Sequence, residues 1–236
     1  MTLQEAKTLF KKHAAETIES WGFKEKKIRR AETIYIRTKE NGFEEFGINP
    51  RNYMPIVVYG IGATKRLNLI EDILSAINTK YSWNLDLDKE TFTVGCRKNK
   101  RELDIALPSV EDEQGVIESS KILLDYIGNT ILPMFDLFDD IREIDKRING
   151  EGENYWESDS DARLPFSLGH IFSVRRWIIA KLSKTEKGFQ NFCNKHFEEI
   201  DKNYAKKNKP KFDRNDKSNW LNQTISYLNE NVQSIY

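Results

Sequence analysis

Near the N-terminus, apolar positions fall three and four residues apart: Leu3, Ala6, Phe10, Ala14, Ile18 and Trp21. That spacing sets them on one stripe of a helix. Thr2 and Glu5 form a T-x-x-E box, in which each side chain satisfies the other's orphan backbone donor. Gly22 supplies the left-handed stop. The period then drops to two. Residues 33–38 alternate, with Ile34 and Ile36 on one face and Tyr35 and Arg37 on the other. Asn41-Gly42 predicts a hairpin turn, because both turn positions need positive φ, and 43–48 forms the return strand. The nearly continuous apolar run 55–61 reads as a more central strand. Pro55 belongs at its start, since proline cannot donate to a ladder.

Helical spacing returns over 66–80, where Leu67, Ile70, Ile73, Leu74 and Ile77 point inward. A second hairpin follows. Phe92, Val94 and Cys96 share one face of its first strand, Leu103, Ile105 and Leu107 one face of its second, and 97–101 is a charged tip. From Glu113 the period is helical again, with Val116, Ile117, Leu123, Leu124 and Ile127 in one stripe that Gly128 closes or interrupts. Pro133 suits the first turn of the next helix, which carries Met134, Leu137, Phe138, Ile141, Ile144 and Ile148 as far as Asn149-Gly150. Three further helical stretches are predicted at 166–182, 184–206 and 217–233. Ser183 and Glu186 form a second capping box, and Phe189, Phe192, Cys193, Phe197 and Ile200 an aromatic stripe.

These elements predict an α+β fold: an antiparallel sheet of about four to five strands with helices on one side, followed by a helical C-terminal part. The α+β domain is expected over 1–150. Residues 151–163, acidic and without period, read as a linker. The helical part over 164–236 has wide apolar stripes that need covering, by the first part or by a second copy of the chain.

Composition narrows the function classes. Hydrophobic residues are 39% of the chain, enough for a core. Lys+Arg and Asp+Glu balance at 37 each, so no overall field draws nucleic acid or an anionic membrane, and neither is the expected partner. Cys96 and Cys193 match no zinc spacing and read as two buried free thiols. No apolar run reaches the roughly 18 residues of a spanning helix, and the N-terminus lacks a signal-peptide pattern, so a cytoplasmic location is expected.

Two segments carry a family likeness. Trp21-Gly22-Phe23-Lys24-Glu25-Lys26-Lys27 looks like a helix-end Gly-Phe-Lys element before a first strand. Leu132-Pro133-Met134-Phe135-Asp136-Leu137-Phe138-Asp139-Asp140-Ile141 looks like a late Leu-Pro-Phe-Phe helix. In both, and in the order helix, sheet, helices, residues 1–150 resemble domain of unknown function 4304, an uncharacterised bacterial family. The resemblance implies an α+β fold and bacterial origin. It implies no catalytic residues.

The most specific candidate ligand site is Gly60-Ile61-Gly62-Ala63-Thr64-Lys65-Arg66, read as the junction between an apolar strand and a helix. There backbone amides and the helix dipole would face an anion, with Lys65 and Arg66 adding charge around Gly60, Gly62 and Thr64. Neither the dinucleotide nor the Walker pattern is matched. His13, His170 and His196 lack partners at ligand spacing, so no metal is expected. Asp136, Asp140 and Glu143 fall on one face of the predicted helix, which suits acid–base work or, more simply, a solvated face. The run 157–161 lacks a calcium loop's glycine and its twelfth-position glutamate. Basic clusters at 24–30, 97–101 and 206–211 could neutralise phosphates, and read more plainly as solvated loops. Tyr155 and Trp156 stand in the acidic segment as natural anchors for a protein partner.

With no catalytic residue, metal or cofactor assigned, the expected function is a non-enzymatic protein-interaction or regulatory role. The alternatives are an enzyme or binding protein for a small anionic or phosphorylated ligand, and a nucleic-acid-binding protein.

Overall fold

The computed structural model describes residues 1–26, 33–52, 56–85, 87, 93–96, 109–149, 162–163, 170–207 and 209–235. For 49–52, 56–61, 96, 109, 162–163 and 170–173 it describes the main chain alone. The chain is α+β and divides into two compact units. One gathers Met1–Asn68, Phe92–Asp139 and Glu153–Arg163; the other gathers Leu69–Thr91, Asp140–Gly152 and Leu164–Tyr236. These units cut across the expected divisions at 150 and 163. The helix after the sheet's long strands and the helix before residue 150 both join the C-terminal helices.

The first unit holds the sheet. Helix α1 (Leu3–Ser20) begins on the expected capping box: Glu5 N–H reaches Thr2 Oγ1 at 3.3 Å, and Thr2 N–H reaches Glu5 Oε2 at 2.7 Å. Gly22 follows with φ +82°. Strands β1 (Lys24–Lys26), β2 (Thr33–Lys39), β3 (Gly42–Asn52) and β4 (Ile56–Leu67) pair antiparallel in sequence order. Strand β4 then takes β5 (Val94–Cys96) along Ala63–Lys65 and β6 (Ser109–Val110) along Ile56–Val57. Strand β7 (Ala162–Arg163) adds to β5. Among the described residues the sheet has seven strands, the four to five expected with short additions. The additional strands β1, β6 and β7 are two or three residues long, too short to show a period. The expected return strand at 103–107 lies outside the described residues.

The β2–β3 hairpin closes one residue earlier than its Asn-Gly signal implies. Lys39 pairs with Gly42, so Glu40 and Asn41 make the turn and Gly42 begins the strand. Gly42 has φ +150°, and a Cβ there would stand 1.9 Å from the Arg66 carbonyl oxygen. Close approach of β4 is what this glycine serves.

Helix α3 (Glu113–Tyr126) runs through a π-turn at Ile127–Ile131 into α4 (Leu132–Leu137). Gly128 therefore does not end it. A side chain there would meet the Trp21 ring at 3.4 Å, so the glycine makes room for that ring. Ile117, expected inward, is 38% exposed, and Ser119 and Ser120 fill the buried face instead. Tyr35, Phe46, Ala63 and Lys65 lie on the sheet face that meets these helices. Phe23 packs at 4.9 Å on Phe46 and 6.3 Å on Phe135.

The second unit is helical: α2 (Asn68–Tyr81), α5 (Ile141–Asn149), α6 (His170–Ser183), α7 (Glu186–Lys206) and α8 (Trp220–Asn231). Every residue of α6 from Val174 to Leu182 is buried, so it is the unit's central helix. Trp177 is ringed by Phe189, Phe192, His196 and Phe197 at 5.1–6.2 Å. The single helix expected across 133–149 breaks at Phe138. Asp140 restarts it by accepting Arg142 N–H at 2.9 Å, a short acidic side chain acting as a cap. The second capping box is also displaced: Thr185 caps α7 by accepting Gly188 N–H, while Ser183 bonds back to the Ala180 carbonyl.

Candidate functional site

The strand-to-helix junction expected at Gly60–Arg66 is strand throughout. Residues Gly60, Gly62, Thr64, Lys65 and Arg66 all lie in β4, and α2 starts at Asn68. The run has few large apolar residues because β4 is flanked on both edges here, and pairing carries it. No helix N-terminus stands at Gly62, and the alternation sends Thr64 and Lys65 to opposite faces. Thr64 Oγ1 donates to Glu45 Oε1 at 3.0 Å, and Arg66 Nε to Asn68 Oδ1 at 3.0 Å. A side chain added at Gly62 would meet nothing, so that glycine is not a cradle.

Lys65 takes the inward position between Ala63 and Leu67 and is 2% exposed. Its directly opposed neighbour on β3 is Glu44, whose own neighbour on β2 is Arg37. Three charges thus stand in register across three strands. Lys65 Nζ donates to Glu44 Oε1 at 3.0 Å, to Asp139 Oδ1 at 2.7 Å and to the Phe135 carbonyl. Glu44 Oε2 accepts Arg37 Nε at 2.7 Å, and Arg37 Nη1 donates to the Trp21 carbonyl at 2.8 Å. The Arg37 guanidinium lies 4.6 Å over the Phe23 ring. The two cations and two carboxylates cancel, and the ammonium's three N–H bonds all have acceptors. A charged row this deep persists only when paired and hydrogen-bonded. It ties the sheet to α4 and leaves Lys65 no donor for a ligand.

Other side chains of a reactive type sit in quiet surroundings. Burial pushes the Cys193 thiol up to about 12, and the thiolate is the reactive form. The His196 ring, held against Trp177 and Phe192, is pushed down to about 4 by burial and then by the Arg176 charge, so it stays neutral at physiological pH. His13 Nε2 lies 3.3 Å from Glu113 Oε1, and the side chain of His170 is outside the described ones. Burial, with the Glu25 charge, raises the Tyr35 hydroxyl to about 12. Tyr35 also lines a cavity with Ala6, Lys7, Phe10, Thr33, Ile48 and Val116, whose free volume of about 20 Å³ is a water's worth of space.

The second unit has its own buried pair. Arg175 grips Glu71 with two bonds of 2.8 and 2.7 Å, both residues under 5% exposed. Asp145 accepts from Lys184 and Asn149, and Asn149 accepts from Arg176. Asp136 lies in α4 while Asp140 and Glu143 open α5, so the single helix on which these carboxylates were expected to share a face is broken between them. Among the described residues, no group of three His, Cys, Asp or Glu side chains is placed to hold a metal ion. No described helix is long and apolar enough to cross a membrane.

Sequence reasoning missed Arg37, Glu44, Asp139, Glu71 and Arg175. The available signal was parity: Glu44 shares a strand face with Phe46, and Lys65 with Ala63. In α6 the signal was Arg175 and Arg176 inside an otherwise apolar run. Tyr155, Trp156 and the basic cluster at 97–101 lie outside the described residues. Comparison with protein-family models, curated proteins and solved structures finds no match.

Proposed function

We propose that the chain works by binding a protein partner, in a regulatory or interaction role, and not by catalysis. The supporting observation is the state of the side chains that chemistry would need. Lys65 is spent on three acceptors, the Cys193 thiol is raised by burial, and His196 is a neutral ring in an aromatic stack. Burial of this kind holds a fold together, whereas a catalytic group must present a lone pair or proton to a substrate. Tyr155 and Trp156 remain the proposed anchors, on their residue types and acidic setting. Kinship with domain of unknown function 4304 is proposed alongside, on the two segments at 21–27 and 132–141.

The test compares wild type with the Tyr155→Ala/Trp156→Ala double variant as bait in source-cell extract, with captured proteins quantified by mass spectrometry. A protein held stoichiometrically by wild type and lost by the variant supports the reading. Identical capture removes those two residues from it. A parallel melting screen uses nucleotides, sugar phosphates and divalent cations, because a ligand bound only by the native state raises Tm. A selective rise with any of them overturns the proposal in favour of a small-ligand protein.

A further inference from the structure

The connection between α7 and α8 concentrates charge in a chain whose net charge is zero. Residues 201–217 carry seven basic and three acidic side chains, a formal +4. Lys202, Lys206, Lys207, Lys209, Lys211 and Lys217 are all exposed, and none makes an ion pair among the described residues. The three acids are occupied with the turn itself, Asp201 pairing with Arg214 at 3.5 Å. Asp213 Oδ1 accepts Asn215 N–H at 2.8 Å, and Asp216 Oδ1 accepts Ser218 N–H at 2.9 Å and its hydroxyl at 2.6 Å.

The described residues of this segment are tied by their own hydrogen bonds. Phe212 N–H donates to Asp201 Oδ1 at 3.0 Å, and Lys209 N–H to the Tyr204 carbonyl at 2.9 Å. Asn222 Nδ2 bridges the carbonyls of Asp213 and Asp216 at 2.9 Å each. The Arg214 guanidinium lies 4.7 Å over the Phe197 ring. Between the lysines stand two half-buried aromatics, Tyr204 and Phe212, in edge contact at 6.4 Å; Phe212 packs on the buried Phe197 ring at 5.5 Å, and Lys209 Nζ lies 5.8 Å from the Tyr204 centroid.

Two features select the partner. Lysine ammonium groups are compact point charges, suited to single phosphate oxygens, whereas planar carboxylates favour the arginine fork. Aromatic rings beside such charges offer a stacking surface to any base. We propose that this surface binds the phosphate backbone of a single-stranded nucleic acid, with Tyr204 as the stacking ring and Phe212 as its support. It rests on residues separate from the protein-partner reading, so either can fail alone.

The experiment is fluorescence anisotropy with a labelled oligothymidylate, titrated at several salt concentrations. A footprint of about five phosphates gives a slope of log K against log salt near −3.5. Lys206→Gln, Lys207→Gln, Lys209→Gln and Lys211→Gln together weaken binding about a hundredfold at low salt and flatten that slope towards −0.7. Tyr204→Leu weakens binding about tenfold with the slope kept. A control set with the same charge change, Lys12→Gln, Lys39→Gln, Lys121→Gln and Lys187→Gln, keeps wild-type affinity. All eight lysines are exposed, and circular dichroism checks the fold of each variant. Three results would each overturn the proposal: no binding at low salt, equal loss in the control set, or equally tight binding of polyglutamate or phosphatidylserine vesicles through the same four lysines.

Discussion

Replacing Lys65 by Met removes the centre of the charged row while keeping much of the side chain's length. The consequence follows from what the ammonium touches. Glu44, fully buried, loses one of its two cationic partners and keeps Arg37 on Oε2. The buried Phe135 carbonyl loses the Lys65 donor, and the largely exposed Asp139 returns to water. Breaking a buried ion pair from one side costs about 3–5 kcal/mol, and because Arg37 stays, the lower end is expected, about 3 kcal/mol. Glu44→Leu alone strands Lys65 on the other side and costs about as much. The double variant Glu44→Leu/Lys65→Met leaves Arg37 with the Trp21 carbonyl and the Phe23 ring, so it costs less than the sum of the singles by about 2 kcal/mol. Hydrogen exchange of the β3 and β4 amides, measured against urea, reads the sheet-bearing unit by itself. Strictly additive singles, or a Lys65→Met loss under about 1 kcal/mol, would refute the reasoning, since both mean that the charges do not depend on each other.

Further predictions concern other parts of the fold. Gly42→Ala sets a Cβ against the Arg66 carbonyl oxygen and lowers stability by more than about 1 kcal/mol, where the same change at a compatible backbone position would raise it; wild-type stability in a urea melt would show that β4 lies further away. His196 is folded-state neutral down to about pH 4, while its unfolded form takes a proton near 6.5. The unfolded state therefore binds more protons between those values, so stability falls as pH drops from 6.5 to 4, by about 3 kcal/mol from this group. His196→Phe removes that share of the slope, and an unchanged pH profile would place the ring in water. Arg175→Lys keeps the charge but not the two-pronged grip on Glu71, so it destabilises the helical unit by about 2 kcal/mol or more; a silent substitution in exchange of the α2 and α6 amides counts against a buried fork.

Much of the fold was legible in the sequence because burial there follows a simple period. Helix α1, its capping box and the aromatic stripe of α7 show apolar spacing that matches the observed buried faces, whereas in β2 and β3 only the existence of the strands was legible, because Tyr35 and Glu44 are buried while Ile34, Ile36 and Phe43 are half-buried. What escaped was structure held by pairing or by polar cores. Residues 62–66 lack large apolar side chains, so they read as a turn, yet β3 pairs along them and β5 along Ala63–Lys65, which makes them strand. Asp139 and Asp140 interrupt a helical stripe that otherwise runs on, one reaching to Lys65 and the other capping α5. Glycines 42 and 128 were read as turn and stop signals, but each makes room for a neighbour far along the chain, which local pattern does not encode. The candidate site suffered most. Lys65 drew notice as a free charge near a supposed loop, and the partners that consume it sit 21 and 74 residues away.

The most direct test of the account measures how fast each lysine is acylated in the native protein, by a brief exposure to an amine-reactive ester followed by peptide mass spectrometry. Lys206, Lys207 and Lys211, exposed and without ion pairs among the described residues, should label at once. Lys65, buried with its three N–H groups on Glu44, Asp139 and Phe135, should label only as fast as the unit opens. Rapid labelling of Lys65 in the folded chain would show a reachable amine there, and would contradict the claim that the chain's reactive side chains serve its fold.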